Sequence, residues 1–169
     1  MLSKNTPKYI LLFIIVHFTL AGSSQNSNSM SITNRSTSSY DLSAMYTAGK
    51  RPDKIVDNSQ WMNYSLKVNP SEPLKSISVS IASGTIPPGV EIYLEADSEN
   101  GSGNGKMGKP TGKIRLSNVP QTIIHEIGTS NTGNGKYRGH RLTMTAVVTN
   151  FGLLEPGNYS LYILYTLNQ

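Results

Sequence analysis

Polar and apolar positions alternate with a period of two over most of the second half of this chain, and that alternation predicts strands. Met62, Tyr64, Leu66 and Val68 alternate with Asn63, Ser65 and Lys67, and Ile77, Val79 and Ile81 with Ser76, Ser78 and Ser80. After a Pro87-Pro88-Gly89 turn, Val90, Ile92, Leu94 and Ala96 share one face, opposite Glu91, Tyr93, Glu95 and Asp97. Ile114 and Leu116 make a short strand. Thr122 to Ile127 make another, whose buried face the pattern leaves ambiguous. Leu142, Met144, Ala146 and Val148 follow, and Tyr159, Leu161, Ile163, Tyr165 and Leu167 line one face of the last strand. Successive side chains of a strand point to opposite faces, so each segment has one face to bury. No stretch sustains the i, i+3, i+4 spacing of an amphipathic helix. Gly, Pro, Asn and Ser fill the breaks, as turns require. About seven strands without a crossover helix predict an all-β fold, an antiparallel immunoglobulin-like β-sandwich whose sheets pack through their apolar faces.

The first residues follow a different pattern. Lys4 and Lys8 precede a nearly unbroken apolar run, Tyr9 to Leu20, and small residues follow at Ala21, Gly22, Ser23 and Ser24. A run of about a dozen apolar residues is shorter than the roughly 20 a bilayer span needs, and these three parts in this order predict a secretory signal peptide over residues 1–23. An uncleaved membrane anchor is the alternative. Residues 24–40 are dominated by Ser, Asn and Thr, with Met30 and Ile32 alternating among them. That stretch is either a flexible leader or one weak edge strand. The sandwich domain is assigned to residues 41–169, with Asp41 to Asn58 read as loop. Cleavage leaves about 147 residues, enough for one domain with a full core.

Composition narrows the function classes. The formal net charge of +5 includes Lys4 and Lys8, so the remainder carries +3, spread thinly and without a basic run. Nucleic-acid binders concentrate Lys and Arg on one face, so no nucleic-acid partner is expected, and no transmembrane segment after signal cleavage. With no cysteine in the chain, disulfides, thiol catalysis and cysteine-ligated metals are excluded.

Residues 100–113 (NGSGNGKMGKPTGK) match G-x-G-x-x-G and G-x-x-x-x-G-K. Both motifs need a following helix whose free amides hold phosphate, and Pro110 stands where a P-loop needs Ser or Thr; a hairpin connection is the reading. Glu95, Asp97 and Glu99 sit at alternate positions, so an extended backbone points three carboxylates one way, a solvated strand face or a weak calcium site. His125 and His140 have no metalloprotease or hydrolase spacing around them and are expected at the surface or rim. No cofactor, metal or catalytic group is assigned. Trp61, Tyr93 and Tyr162 are the candidate binding aromatics, able to stack on a glycan or anchor a partner, although Trp61 also suits the core of a sandwich. Asn34, Asn63 and Asn158 open glycosylation sequons of a kind expected by chance in so Asn- and Ser-rich a chain.

The last third carries a resemblance. Thr132-Gly133-Asn134-Gly135, Gly139-His140-Arg141-Leu142-Thr143, and Leu154-Glu155-Pro156-Gly157-Asn158-Tyr159 ahead of an alternating C-terminal strand resemble bacterial pilin-type sandwiches, in the spore-coat-protein-U-like and chaperone–usher pilin group. The connection at residues 84–89 and the segment from Ser59-Gln60-Trp61 also fit. The resemblance spans about residues 40–169, and its motifs are turns and strand endings. It implies an exported, non-enzymatic structural or adhesive subunit at the periplasm, outer cell surface or outside the cell. The implied partners are other surface or pilus subunits and a periplasmic chaperone; a glycan is the partner that the candidate aromatics suit. It also implies assembly by strand donation, for which Met30 and Ile32 are the candidate donor-strand residues. The alternative function is a secreted carbohydrate-binding module using exposed aromatics.

Overall fold

A computed structural model describes residues 10–19, 28–33, 38–41 and 54–169. The alternating segments form two sheets that pack as an all-β sandwich. One sheet runs in the order β3 (Ser38–Asp41), β1 (Ile10–Thr19), β13 (Gly157–Asn168), β5 (Lys75–Gly84), β10 (Gln121–Ile127) and β8 (Lys109–Pro110). The other runs β7 (Asn104–Gly105), β11 (Ser130–Asn131), β4 (Ile55–Leu66), β12 (His140–Val148), β6 (Val90–Asn100) and β9 (Ile114–Arg115). A short strand β2 (Ser29–Thr33) also pairs with β4. Among the described strands, pairing is antiparallel except between β1 and β13, which run parallel. A single 3-10 turn at Phe151–Leu153 is the one helical element among the described residues, and no helix there is long and apolar enough to cross a membrane.

Inward rows from both sheets build the core. Met62, Tyr64 and Leu66 from β4, Ile92, Leu94 and Ala96 from β6, and Leu142, Met144 and Ala146 from β12 meet Ile77 and Val79 from β5 and Leu161, Ile163, Tyr165 and Leu167 from β13. Apolar area removed from water stabilises at about 25 cal/mol per Å², which makes these rows the main favourable contribution to folding. At the corner leading into β13, the Tyr159 hydroxyl donates to the Glu155 carbonyl 3.2 Å away. This is the back-bond of a tyrosine corner, a feature of immunoglobulin-like sandwiches.

Several boundaries differ from the alternation. The β4 strand begins at Ile55, inside the segment read as loop; residues 42–53 lie outside the described residues. The face of β10 is ambiguous because the strand is bulged twice. Its pairing with β5 shifts between Thr122 and Ile124 and again between Ile124 and Ile127, and Glu126 has φ 58. Each bulge turns the next side chain over, so Ile123, Ile124 and Ile127 are all buried. The glycine-rich segment 100–113 is not a free hairpin. It holds β7 on one sheet and β8 on the other, and so crosses between the layers.

Candidate functional site

The candidate residues do not converge on one surface. Trp61 and Tyr93 both lie on the outer face of the second sheet, on the strands either side of β12, opposite Arg141 and Thr145, and so are offset by about 13 Å along the strands at 3.3 Å per residue and by two strand spacings across them. Tyr162 belongs to the first sheet. Trp61 is 6% exposed yet stands apart from the main core: the loop above it covers it, with the Tyr137 ring edge-on at 5.5 Å. Tyr93 donates a 2.6 Å hydrogen bond to Glu91 and lies under the Lys113 ammonium. The Asp97 carboxylate is taken by Arg141 in a close ion pair, with Thr143 donating to its other oxygen. The Glu99 side chain lies outside the described residues, and no group of three potential metal ligands occurs among those described.

Met30 and Ile32, expected as donor-strand residues on an arm, are core residues here. They are 9% and 3% exposed, on a strand paired with β4 from Ser29 opposite Ser65 to Thr33 opposite Trp61.

The surface expectation fails for His140, which is fully buried. Its Nε2 lies 2.9 Å from the Tyr64 hydroxyl and 3.0 Å from the Met107 carbonyl, which also accepts the Tyr64 hydroxyl. Burial pushes the imidazole pKa down from 6.5 more than the Met107 and Asp97 carbonyls push it up. Burial also raises the Tyr64 phenol above its usual range. Tyr64 and His140 therefore pin the crossing segment at Met107 from inside the core.

Above this knot, two neighbouring strand lines bulge together. β11 and β12 pair with β4 as one broken line, in which Ser130 faces Leu66 and His140 faces Met62. Ten residues on one side answer four on the other, so six are looped out. The adjacent line, β6 into β7, is interrupted at the same level: Asn100 faces His140 and Gly105 faces Ser130. Backbone bonds from Gly101 to Gly139 and from Ser102 to Tyr137 join the two excursions.

A buried asparagine holds the larger loop. Asn63, 1% exposed, donates through Nδ2 to the carbonyls of Arg138 (2.7 Å) and Gly135 (3.2 Å). Its Oδ1 accepts from the Gly135 amide and the Thr33 hydroxyl of β2. An amide so engaged is closed to glycosylation in the folded chain. The loop in turn presents Tyr137, 62% exposed and at φ 64, a conformation rarely adopted by bulky residues.

Between the two excursions lies a polar cavity of about 240 Å³, lined by residues including Ser102, Asn104, Asn131, Thr132 and Arg138. Past the Asn104–Asn131 pair it adjoins a less polar hollow of about 390 Å³ over Leu66, Lys67 and Thr129. The sequence holds an unused signal for this place: Gly-Asn-Gly-Lys occurs at residues 103–106 and again at 133–136.

No family model, no curated protein and no solved structure matches the chain.

Proposed function

We propose that the chain is an exported, non-enzymatic β-sandwich, displayed at the cell surface or outside the cell as a structural or adhesive subunit of pilin type. The observation that carries this reading is the pairing of the apolar N-terminal run with the last strand. β1 lies parallel to β13 in unbroken register, from Ile10 opposite Gly157 to Thr19 opposite Thr166. If the run is an export signal, its cleavage strips ten partners from β13, whose Leu161, Ile163, Tyr165 and Leu167 belong to the core. A long apolar edge of that kind templates another strand. A subunit or chaperone strand adding there would satisfy the backbone and cover the row. This reading keeps β2 as a strand of the chain's own sheet and locates strand exchange at β13. Of the candidate polar groups, His140 and Asp97 are both committed to internal contacts.

The test is to express the whole chain in a bacterial host, collect the exported fraction, and measure its mass and association state. A product lacking about the first 23 residues that self-associates, or stays soluble only with a periplasmic chaperone, supports the reading. A product retaining residues 1–23, or a cleaved product that is a stable monomer alone, overturns it.

A further inference from the structure

We infer that the polar cavity between the two looped excursions is a binding site for a saccharide bearing an oxyanion, a carboxylate or a sulfate ester. The inference rests on the proposed surface display for its biological setting, and its geometry is independent of β13.

The charge comes from Arg138. Its main chain is fixed, because its carbonyl accepts from buried Asn63 and its neighbour Tyr137 is bonded to Ser102. Its guanidinium enters none of the ion pairs formed among the described residues. A guanidinium presents a planar fork of donors that matches carboxylate and sulfate oxygens.

The polyol character follows from the remaining lining. Asn104 and Asn131 face each other across the β7–β11 pair. The Asn131 Oδ1 accepts from the Gly133 amide, which orients its NH2 group; that NH2 and the whole Asn104 amide make no hydrogen bond among the described residues. A side-chain amide carries both donors and an acceptor, and each sugar hydroxyl both donates and accepts. Vicinal hydroxyls therefore satisfy such amides, which apolar ligands cannot. The adjoining hollow floored by Leu66 offers a second ring an apolar wall for its C–H face. Next to Arg138 in the chain, Tyr137 packs edge-on against Trp61 with Lys136 over its ring, which steadies the loop that carries the guanidinium.

A peptide strand fits less well. The sheet edge here, β7, is two residues long, too short to template strand addition.

The experiment is calorimetric titration of the exported protein with three tetrasaccharides (a uronate, a sulfated and a neutral one) and with inorganic sulfate. The expected result is millimolar or tighter binding of at least one acidic tetrasaccharide. The neutral one should bind at least tenfold more weakly, as should inorganic sulfate. Arg138→Gln should weaken the acidic ligand at least tenfold, and Asn104→Ala and Asn131→Ala several-fold. The uronate and sulfated arms tell which oxyanion is read. Circular dichroism and urea midpoints of each variant separate lost contacts from lost folding, and Lys54→Gln, outside the cavity, should bind as wild type. No binding of either acidic saccharide, equal binding of the neutral one, or a folded Arg138→Gln protein that binds undiminished would overturn the inference. Those results leave the cleavage and association measurements untouched, so the two readings fail separately.

Discussion

Asn63 joins the outer face of β4 to the larger excursion, and removing its amide tests that architecture directly. Three of its hydrogen bonds reach the loop: Nδ2 to the Arg138 and Gly135 carbonyls, and Oδ1 from the Gly135 amide. A fourth ties in Thr33 of β2. Each such bond contributes about 0.5–1.5 kcal/mol net, and groups left unpaired in a buried place cost more than the bond was worth. The residue is almost wholly buried, but Gly135 is half-exposed and water can replace part of what it loses. Asn63→Ala should therefore cost about 3 kcal/mol, roughly a hundredfold in the folding equilibrium. With an m-value near 2 kcal/mol/M, the urea midpoint should fall by about 1.5 M. Asn63→Asp should be at least as damaging, because a carboxylate oxygen would face two carbonyls in place of the donor, and a buried charge carries its own penalty. Amide hydrogen exchange gives the local readout. The Gly135 amide should lose its protection while those of β12 keep theirs relative to the global stability. A loss below about 1 kcal/mol, or a Gly135 amide that exchanges as in wild type, would refute the assignment of Asn63 as the clamp.

Three further outcomes follow from the same geometry. At Gly139, φ is +68 and a Cβ would lie 2.1 Å from the Met62 carbonyl oxygen, whereas at Gly135, φ is +112 and the space is open. Thermal melts should show Gly139→Ala losing more than about 3 kcal/mol and Gly135→Ala about 1–2 kcal/mol; equal losses would sink the steric argument. Buried His140 has its pKa lowered from 6.5, so the unfolded chain takes up the proton first as pH falls. Stability at pH 7–8 should thus decline as pH drops through about 6.5 towards the lower folded value, by at most about 1.4 kcal/mol per unit. Urea midpoints from pH 5 to 8 should show that slope, flattened in His140→Gln; an unchanged slope in the variant would be contrary. Ile163 is fully buried and Val119 is 63% exposed, so Ile163→Ala should cost about 2–5 kcal/mol and Val119→Ala less than about 0.5 kcal/mol by urea unfolding.

The sandwich was legible because each of its long strands carries a complete apolar row. β6 alternates cleanly, and along β12 and β13 the predicted rows are buried from Leu142 to Ala146 and from Leu161 to Leu167. Legibility ended where both faces of a strand are covered or the pairing is irregular. On β5, Ser78 and Ser80 are as buried as Val90, although they lie on the face opposite Ile77 and Val79. On β4, Trp61 and Asn63 are buried along with inward Met62 and Tyr64, because the loop over residues 132–139 lies on the outer face. A period of two cannot signal a loop folding back onto a polar face. Nor can it show that Ile10–Thr19 pairs with β13, since an uninterrupted apolar run reads equally well as a signal and as a strand with both faces covered.

The candidate site was hidden for a related reason. Its residues are turn-formers, and Gly, Asn, Ser and Thr in a row read as connection wherever they occur. What makes them a site is register. Asn104 faces Asn131 only because β7 pairs with β11 after both lines have looped out residues at one level. The repeated Gly-Asn-Gly-Lys hints that two like segments exist, yet the copies are not equivalent in space. The first supplies the edge strand and leads to Met107, which Tyr64 and His140 hold from within. The second supplies the excursion that Asn63 holds from below. The anchors are thus the informative residues. A tyrosine, a histidine and an asparagine, each buried with a polar group to satisfy, fix loops that no apolar pattern specifies. Because Thr33 completes the shell of Asn63, the leader strand β2, the clamp and the cavity form one hydrogen-bonded unit, which accounts for the leader's place in the sandwich better than two apolar side chains alone.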